Sequence, residues 1–243
     1  MAEEWRQETN STPRPFLFRK THMTLDDEAG MRDVGVPVVH AVTNDEVVAR
    51  ADFIDVACAV MRELGSRGAL HLRASRISGA RFQSLAEGLA AAQGLTGAMF
   101  VVNDRVDVAL VSGARGAQLT SHSLTAGDAR RIAPNLALGA SVHDVSEGVA
   151  AAEAGADWLV AGHVFATPSH LGQPQRGVEW VKSLVNATNV PVIAIGGVRV
   201  EHAPILRATG IHGVAVIRGI WDAPNAEQAA RDYLSAYDDA GIT

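Results

Sequence analysis

The stretch Asp157-Trp158-Leu159-Val160-Ala161-Gly162-His163-Val164-Phe165 sets a short apolar run against a glycine and an ionisable imidazole. Such a run, without polar alternation, reads as a strand buried on both faces. Just upstream, Val145 to Ala154 reads as a helix, and Gly155 offers the positive φ that ends one. The pattern is therefore helix, glycine stop, buried strand, and then polar residues where the strand runs out. His163 at that end admits two readings. It is either a satisfied core side chain between small neighbours or a group that takes and returns a proton near neutral pH.

The same pattern extends in both directions. Apolar runs recur at Val38 to Thr43, Ala69 to Arg73, Ala98 to Asn103, Gly116 to Leu119, Leu136 to Ser141, Trp158 to Gly162, Val190 to Ile195 and Gly213 to Ile217. Helical stretches fall between them at Val47 to Leu64, Phe82 to Ala92, Val145 to Ala154, Val178 to Ala187 and Ala226 to Ala240, with Gly65, Gly94, Gly155 and Gly210 as stops. Eight such units of about 25 residues predict an α/β chain closed into a single (β/α)8 TIM barrel. An open doubly wound sheet fits less well, because no Gly-x-Gly-x-x-Gly follows the first strand. The barrel is expected over residues 36–243. Residues 1–35, with Pro13, Pro15 and no clear period, read as a flexible N-terminal extension.

Composition narrows the function classes. The 243 residues are 47% hydrophobic and carry 21 basic against 27 acidic side chains, a net charge of −6. That suits one domain with a deep core, and the absence of a basic run argues against nucleic acid as a partner. Small anions remain open, since local geometry holds them. The single cysteine, Cys58, excludes an intrachain disulfide and a cysteine metal cluster, and reads as core. Glu3, Glu4 and Arg6 stand where a secretory peptide needs apolar residues, and no membrane span is evident, so the expected location is cytoplasmic.

In a barrel of this kind chemistry sits at the carboxyl ends of the strands. Those ends carry Thr43, Asn44, Arg73, Asn103, Asp104, Gln118, Ser141, His143, His163, Gly196, Gly197, Arg218 and Gly219. Lysine is missing from the set, since the two lysines are Lys20 and Lys182, which argues against Schiff-base chemistry. Gly196-Gly197 reads either as a tight turn or as backbone that lets N–H groups approach an anion; Ile217-Arg218-Gly219 supplies the second half of such a phosphate site. Asp104 reads as a cap for a following short helix. Phe165 to Arg176, punctuated by Gly and Pro, reads as a lid or as an ordinary connection.

Six motifs carry a family resemblance: His40-Ala41-Val42-Thr43-Asn44, His71-Leu72-Arg73, Asn103-Asp104-Arg105-Val106-Asp107, Ser141-Val142-His143, Gly162-His163-Val164-Phe165 and Ala194-Ile195-Gly196-Gly197. In order and spacing they resemble the thiamin phosphate synthase/TenI superfamily from Val38 to Tyr237. Synthases of that family resemble one another in an Arg-Glu-Lys after strand two, an Asp past strand four and a Thr-x-Thr-Lys after strand six. Here those places read Arg73-Ala74-Ser75, Ser123 and Thr167-Pro168-Ser169-His170, without either lysine or that aspartate. Synthases also usually have proline where this chain has His163, whereas the TenI thiazole tautomerases resemble it there.

The resemblance thus implies a thiazole tautomerase, an isomerase of thiamin biosynthesis, that aromatises a thiazole carboxylate phosphate. His163 would move the proton, with no metal and no cofactor. Arg73 would meet the substrate carboxylate, or else form a salt bridge on the barrel rim. Asn103, Gln118, Ser141 and Thr167 would bind substrate, and Gly196, Gly197, Ile217 and Arg218 its phosphate; His143 and His170 are neighbours. A homo-oligomer is implied. The alternatives are a Mg²⁺-dependent thiamin phosphate synthase and a barrel that binds thiazole phosphate without turning it over.

Overall fold

The computed structural model describes residues 35–168 and 172–238. The chain divides into Met1–Arg32 and Asp33–Thr243. The expected N-terminal extension lies outside the described residues, apart from Gly35, as does His170.

Eight parallel strands close on themselves in chain order. They are β1 (Val39–Val42), β2 (Gly68–Leu72), β3 (Met99–Asn103), β4 (Gly116–Leu119), β5 (Ala137–Val142), β6 (Trp158–Ala161), β7 (Val192–Ile195) and β8 (Gly213–Val216). Every strand residue is buried except Ser141 and Ile195, which are intermediate. That is why the strands read as continuous apolar runs. Closure is made by β8 on β1, with Val39 opposite Val214.

The helices are α1 (Asp45–Val48), α2 (Phe53–Leu64), α3 (Gly79–Thr96), α4 (Val106–Ser112), α5 (Ala126–Ile132), α6 (Val145–Glu153), α7 (Val178–Ala187), α8 (Ala203–Arg207), α9 (Arg218–Trp221) and α10 (Ala226–Asp238). The expected helix from Val47 to Leu64 is two helices, because the chain turns at Ala49–Asp52, where Arg50 forks onto Asp52. Gly94 does not stop a helix. It lies inside α3, which Ser78 caps by accepting from Arg81 N and which ends at Gly97 with φ 80°. Cys58 is half-buried against the core rather than within it.

Two cores result. Most of the buried residues form the layer between sheet and helices. A smaller set, including Met99, Val101, Trp158, Val160 and Ile193, fills the barrel interior. Trp158 is fully buried there, and the strands beside it are cut back to glycine to admit it. A Cβ on Gly139 would lie 2.2 Å from the indole Nε1, and one on Gly116 would lie 3.2 Å from the ring. Above this plug the strand ends open into the site.

Candidate functional site

A cavity of about 1050 Å³ opens at the carboxyl ends of the strands, a volume able to hold two small reactants together. Arg73, Asn103, Gln118, Ser141, His163, Thr167, Gly196, Gly197, Ile217 and Arg218 all line it. Parallel closure explains why residues scattered over 145 positions meet: each stands at or just past the end of its strand.

On the β4–β6 side the polar groups are held by one another. The buried indole N–H of Trp158 donates to Gln118 Oε1 at 3.0 Å, and Gln118 Nε2 donates to Ser141 Oγ at 3.1 Å. Gly139 is required here as well, since its Cβ would fall 2.3 Å from Gln118 Oε1. Gln118 is therefore fixed in orientation before any ligand arrives.

The β6–β8 side is built from backbone. Gly196 and Gly197 have φ 97° and 65°, and the segment after β6 crosses directly over them. A Cβ on Gly196 would lie 2.4 Å from His163 Cβ, and one on Gly197 would lie 2.5 Å from the Ala166 carbonyl. Both glycines are thus required by left-handed backbone and by close approach, whatever the cavity holds. Val164 N and Phe165 N donate to the carbonyls of Ile195 and Gly196, while Arg176 N and Gly177 N donate to those of His163 and Val164. The ends of the Phe165–Arg176 connection are pinned in this way; residues 169–171 lie outside the description. His163 is buried in this wall, behind a cis Gly162–His163 peptide. Arg218 Nη2 donates to Thr167 Oγ1 at 2.9 Å, which aims the guanidinium across the same corner. Tyr233 and Tyr237 of α10 donate to the Val198 and Arg199 carbonyls and steady the loop behind the glycines.

At the β1–β3 side Arg73 is exposed, and among the described residues no carboxylate pairs with it. Its backbone is locked instead: Arg73 N donates to Thr43 Oγ1 at 2.8 Å, and Thr43 Oγ1 donates back to the Arg73 carbonyl at 3.0 Å. The rim salt bridge considered for Arg73 is absent among those residues. Asp104 does not cap α4, whose N-cap is Arg105 without a side-chain bond. With φ 64°, Asp104 turns its carboxylate toward the β4 loop, where Oδ1 accepts from Thr120 Oγ1 and, at 2.5 Å, from Ser123 Oγ. Ser123 is the position at which the sequence lacks the family's aspartate. A hydroxyl donor there satisfies Asp104, where a second carboxylate would repel it. His143 is exposed and contacts Glu147 at 3.3 Å.

Two further polar side chains, His40 and His71, are buried in the barrel wall, and the sequence alone points to no role for either. Their rings lie 5.0 Å apart. The available signal was a histidine interrupting each of two adjacent apolar strands.

Comparison with known proteins fixes the family. The model described as thiamine monophosphate synthase matches residues 39–220. A thiamine-phosphate synthase of Pyrococcus horikoshii is 41% identical over 133 residues, 55% of this chain and 64% of that one, so the chain matches just under two thirds of that relative's length. One from Methanoculleus marisnigri is 35% identical over 204 residues, which is 80% of this chain and 94% of that one. The solved thiamine phosphate pyrophosphorylase of Pyrococcus furiosus superposes with a TM-score of 0.75 at 29% identity, covering 84% of this chain and 97% of that one.

These relatives overturn the expected isomerase. They are named as two synthases, which are transferases, and a pyrophosphorylase, and none of the three is named as a tautomerase. The expectation leaned on Gly162-His163-Val164-Phe165, but that segment is fixed by backbone bonds to β7 and by the close approach to Gly196. A tetrapeptide so constrained by packing does not distinguish one reaction from another on the same scaffold.

Proposed function

This chain belongs to the thiamine monophosphate synthase family, and we propose on that premise that it is a transferase joining a pyrimidine carried on pyrophosphate to a thiazole phosphate. The observation that supports this most strongly is the 35% identity carried through 94% of the Methanoculleus synthase. In this reaction the carbon–oxygen bond to pyrophosphate breaks and the thiazole nitrogen gives its lone pair to that carbon. Pyrophosphate leaves with the bonding pair. The protein must hold two rings in line and stabilise charge on the leaving group.

The backbone-built corner suits the thiazole phosphate. Gly196, Gly197 and Ile217 would offer backbone N–H groups and Arg218 its guanidinium, with Thr167 orienting Arg218. Across the cavity Arg73, without a carboxylate partner among the described residues, would take the pyrophosphate through a planar two-point contact. His163, buried in the wall against Gly196, would flank the thiazole phosphate. Gln118, Ser141 and Asn103 would bind the ring edges.

Synthases of this family work with Mg²⁺, and the residues present do not make its carboxylate pair. Asp104 stands at the β3 end with Oδ1 committed to Thr120 and Ser123. Among the described residues no group of three or more His, Cys, Asp or Glu side chains could hold a metal. On this reading the charge of the leaving group falls to Arg73. The same departures, with the absence of lysine from the strand ends, favour a second reading in which the barrel binds thiazole phosphate without turnover.

The test supplies both reactants with and without Mg²⁺ and follows pyrophosphate release and thiamin phosphate formation, alongside calorimetric binding of thiazole phosphate. Product formation supports the transferase. Binding without product establishes the second reading, and absence of both overturns the two together. Among the described residues no helix is long and apolar enough to cross a membrane.

A further inference from the structure

We propose that His40 is a positioning residue: it holds His71 in the neutral tautomer protonated on Nε2, so that the wall below β1–β3 meets a ligand with the Asn103 carbonyl oxygen, a hydrogen-bond acceptor.

The direction of the chain follows from its inner end. The Pro37 carbonyl can only accept, so His40 Nε2, 2.9 Å away, carries the proton. Neutral His40 then has a bare Nδ1. The 2.8 Å contact from that atom to His71 Nε2 therefore takes its proton from His71. His71 in turn is left with a bare Nδ1, which among the described residues is buried without a hydrogen-bond partner, as is Oδ1 of Asn103. The Asn103 side chain stands beside His71 and acts on its ionisation. A hydrogen bond between these two side chains needs a proton, which a bare Nδ1 and a carbonyl oxygen do not supply. Turning the Asn103 amide so that its NH₂ donates to His71 Nδ1 relieves both atoms and sends the carbonyl oxygen to the cavity, which Asn103 lines.

Burial keeps the chain directional. His40 and His71 are 0% and 1% exposed, and desolvation lowers the pKa of each, His40 to about 4 and His71 well below the ordinary histidine range. For His71 the neighbouring His40 adds to the lowering, against an opposing pull from Asn103. Neither ring carries the second proton that would erase the polarity. Resting on the proposed binding of a ring substrate in this cavity, the consequence is selective: the ring edge facing Asn103 must bear an N–H or O–H.

Heteronuclear NMR of histidine-labelled, ligand-free protein tests the tautomer without any turnover, so its outcome is separate from that of the synthase assay. The wild type should show His71 protonated on Nε2 alone. His40→Asn, whose side-chain oxygen accepts near the position of Nδ1, should preserve that state. His40→Phe removes the acceptor and should move the proton to Nδ1, turning the Asn103 NH₂ into the cavity. Binding of an aminopyrimidine against its methoxy counterpart should favour the amine roughly fivefold in the wild type and lose that preference in His40→Phe. His71→Gln, whose amide turns either way, should lose it too, which covers a His40→Phe chain that fails to fold. A wild-type His71 protonated on Nδ1, or an amine preference that survives both His40→Phe and His71→Gln, overturns the proposal.

Discussion

The two sides of the cavity are made of different material. Around Gly196, Gly197 and Arg218 the wall is backbone, shaped by left-handed glycines and by the segment after β6 lying across them. Around His40, His71, Gln118 and Trp158 it is side chain, a buried polar layer whose members orient one another. A backbone wall offers N–H groups to any anion of suitable shape. A side-chain wall has a fixed hydrogen-bond polarity and discriminates among rings.

The largest effect that separates the two sides should come from Trp158→Ala. It removes the barrel plug and the donor to Gln118, and should cost about 4 kcal/mol in urea denaturation. Thiazole phosphate affinity in the protein that remains folded should fall far less than ring selectivity. Equal loss of both would mean that the two walls are not independent.

Acid should act on the side-chain wall first. His40 has a folded-state pKa of about 4, below the roughly 6.5 of an unfolded histidine. Between those values the unfolded chain binds more protons. The stabilisation from a neutral buried His40 is therefore fully present above about pH 6.5 and is lost as pH falls toward 4, about 3 kcal/mol in all, with His71 acting in the same direction. Denaturation of wild type and His40→Asn across this window measures it. The variant should show the shallower fall, and parallel curves would remove His40 from the account.

On the backbone side, Arg218→Ala should weaken thiazole phosphate binding by about 2 kcal/mol in calorimetry, through loss of one charge-assisted contact. Its effect on stability should stay within about 0.5 kcal/mol. The smallest effect is expected at the rim of the side-chain wall, between β3 and β4. Ser123→Asp replaces the donor to Asp104 Oδ1 with a like charge and should cost about 1 kcal/mol in EDTA, recovered on adding Mg²⁺. A loss unaffected by Mg²⁺ would show that the two carboxylates do not form a metal site in this barrel.

The same contrast explains what was legible beforehand. Strands buried on both faces announce themselves as apolar runs, so all eight were placed within two residues at either end. Topology alone then brings the strand-end residues together, and Arg73, Gln118 and Arg218 needed no knowledge of packing to be grouped. Short helices escaped: α5, α8 and α9 have seven, five and four residues, too few for a 3.6-residue period to show. Gly94 reads as a stop because any glycine can end a helix, and only the backbone distinguishes it from Gly97. Asp104 was misread as a cap because its partners, Thr120 and Ser123, come from the following β/α unit. The reaction class was misjudged for a related reason. In the sequence His163 reads as chemistry, while its surroundings show how much of that segment is dictated by Gly196 and Ile195.

The tryptophan at the centre of the barrel also governs traffic. With Trp158, Met99 and Ile193 filling the axis, nothing passes through the floor, and whatever enters at the carboxyl ends of the strands must return the same way. Two reactants that meet inside such a dead end have to queue. On the proposed two-substrate reaction, the one seated deeper would arrive first and depart last, so the plug that holds the fold together would also set an order on binding and release.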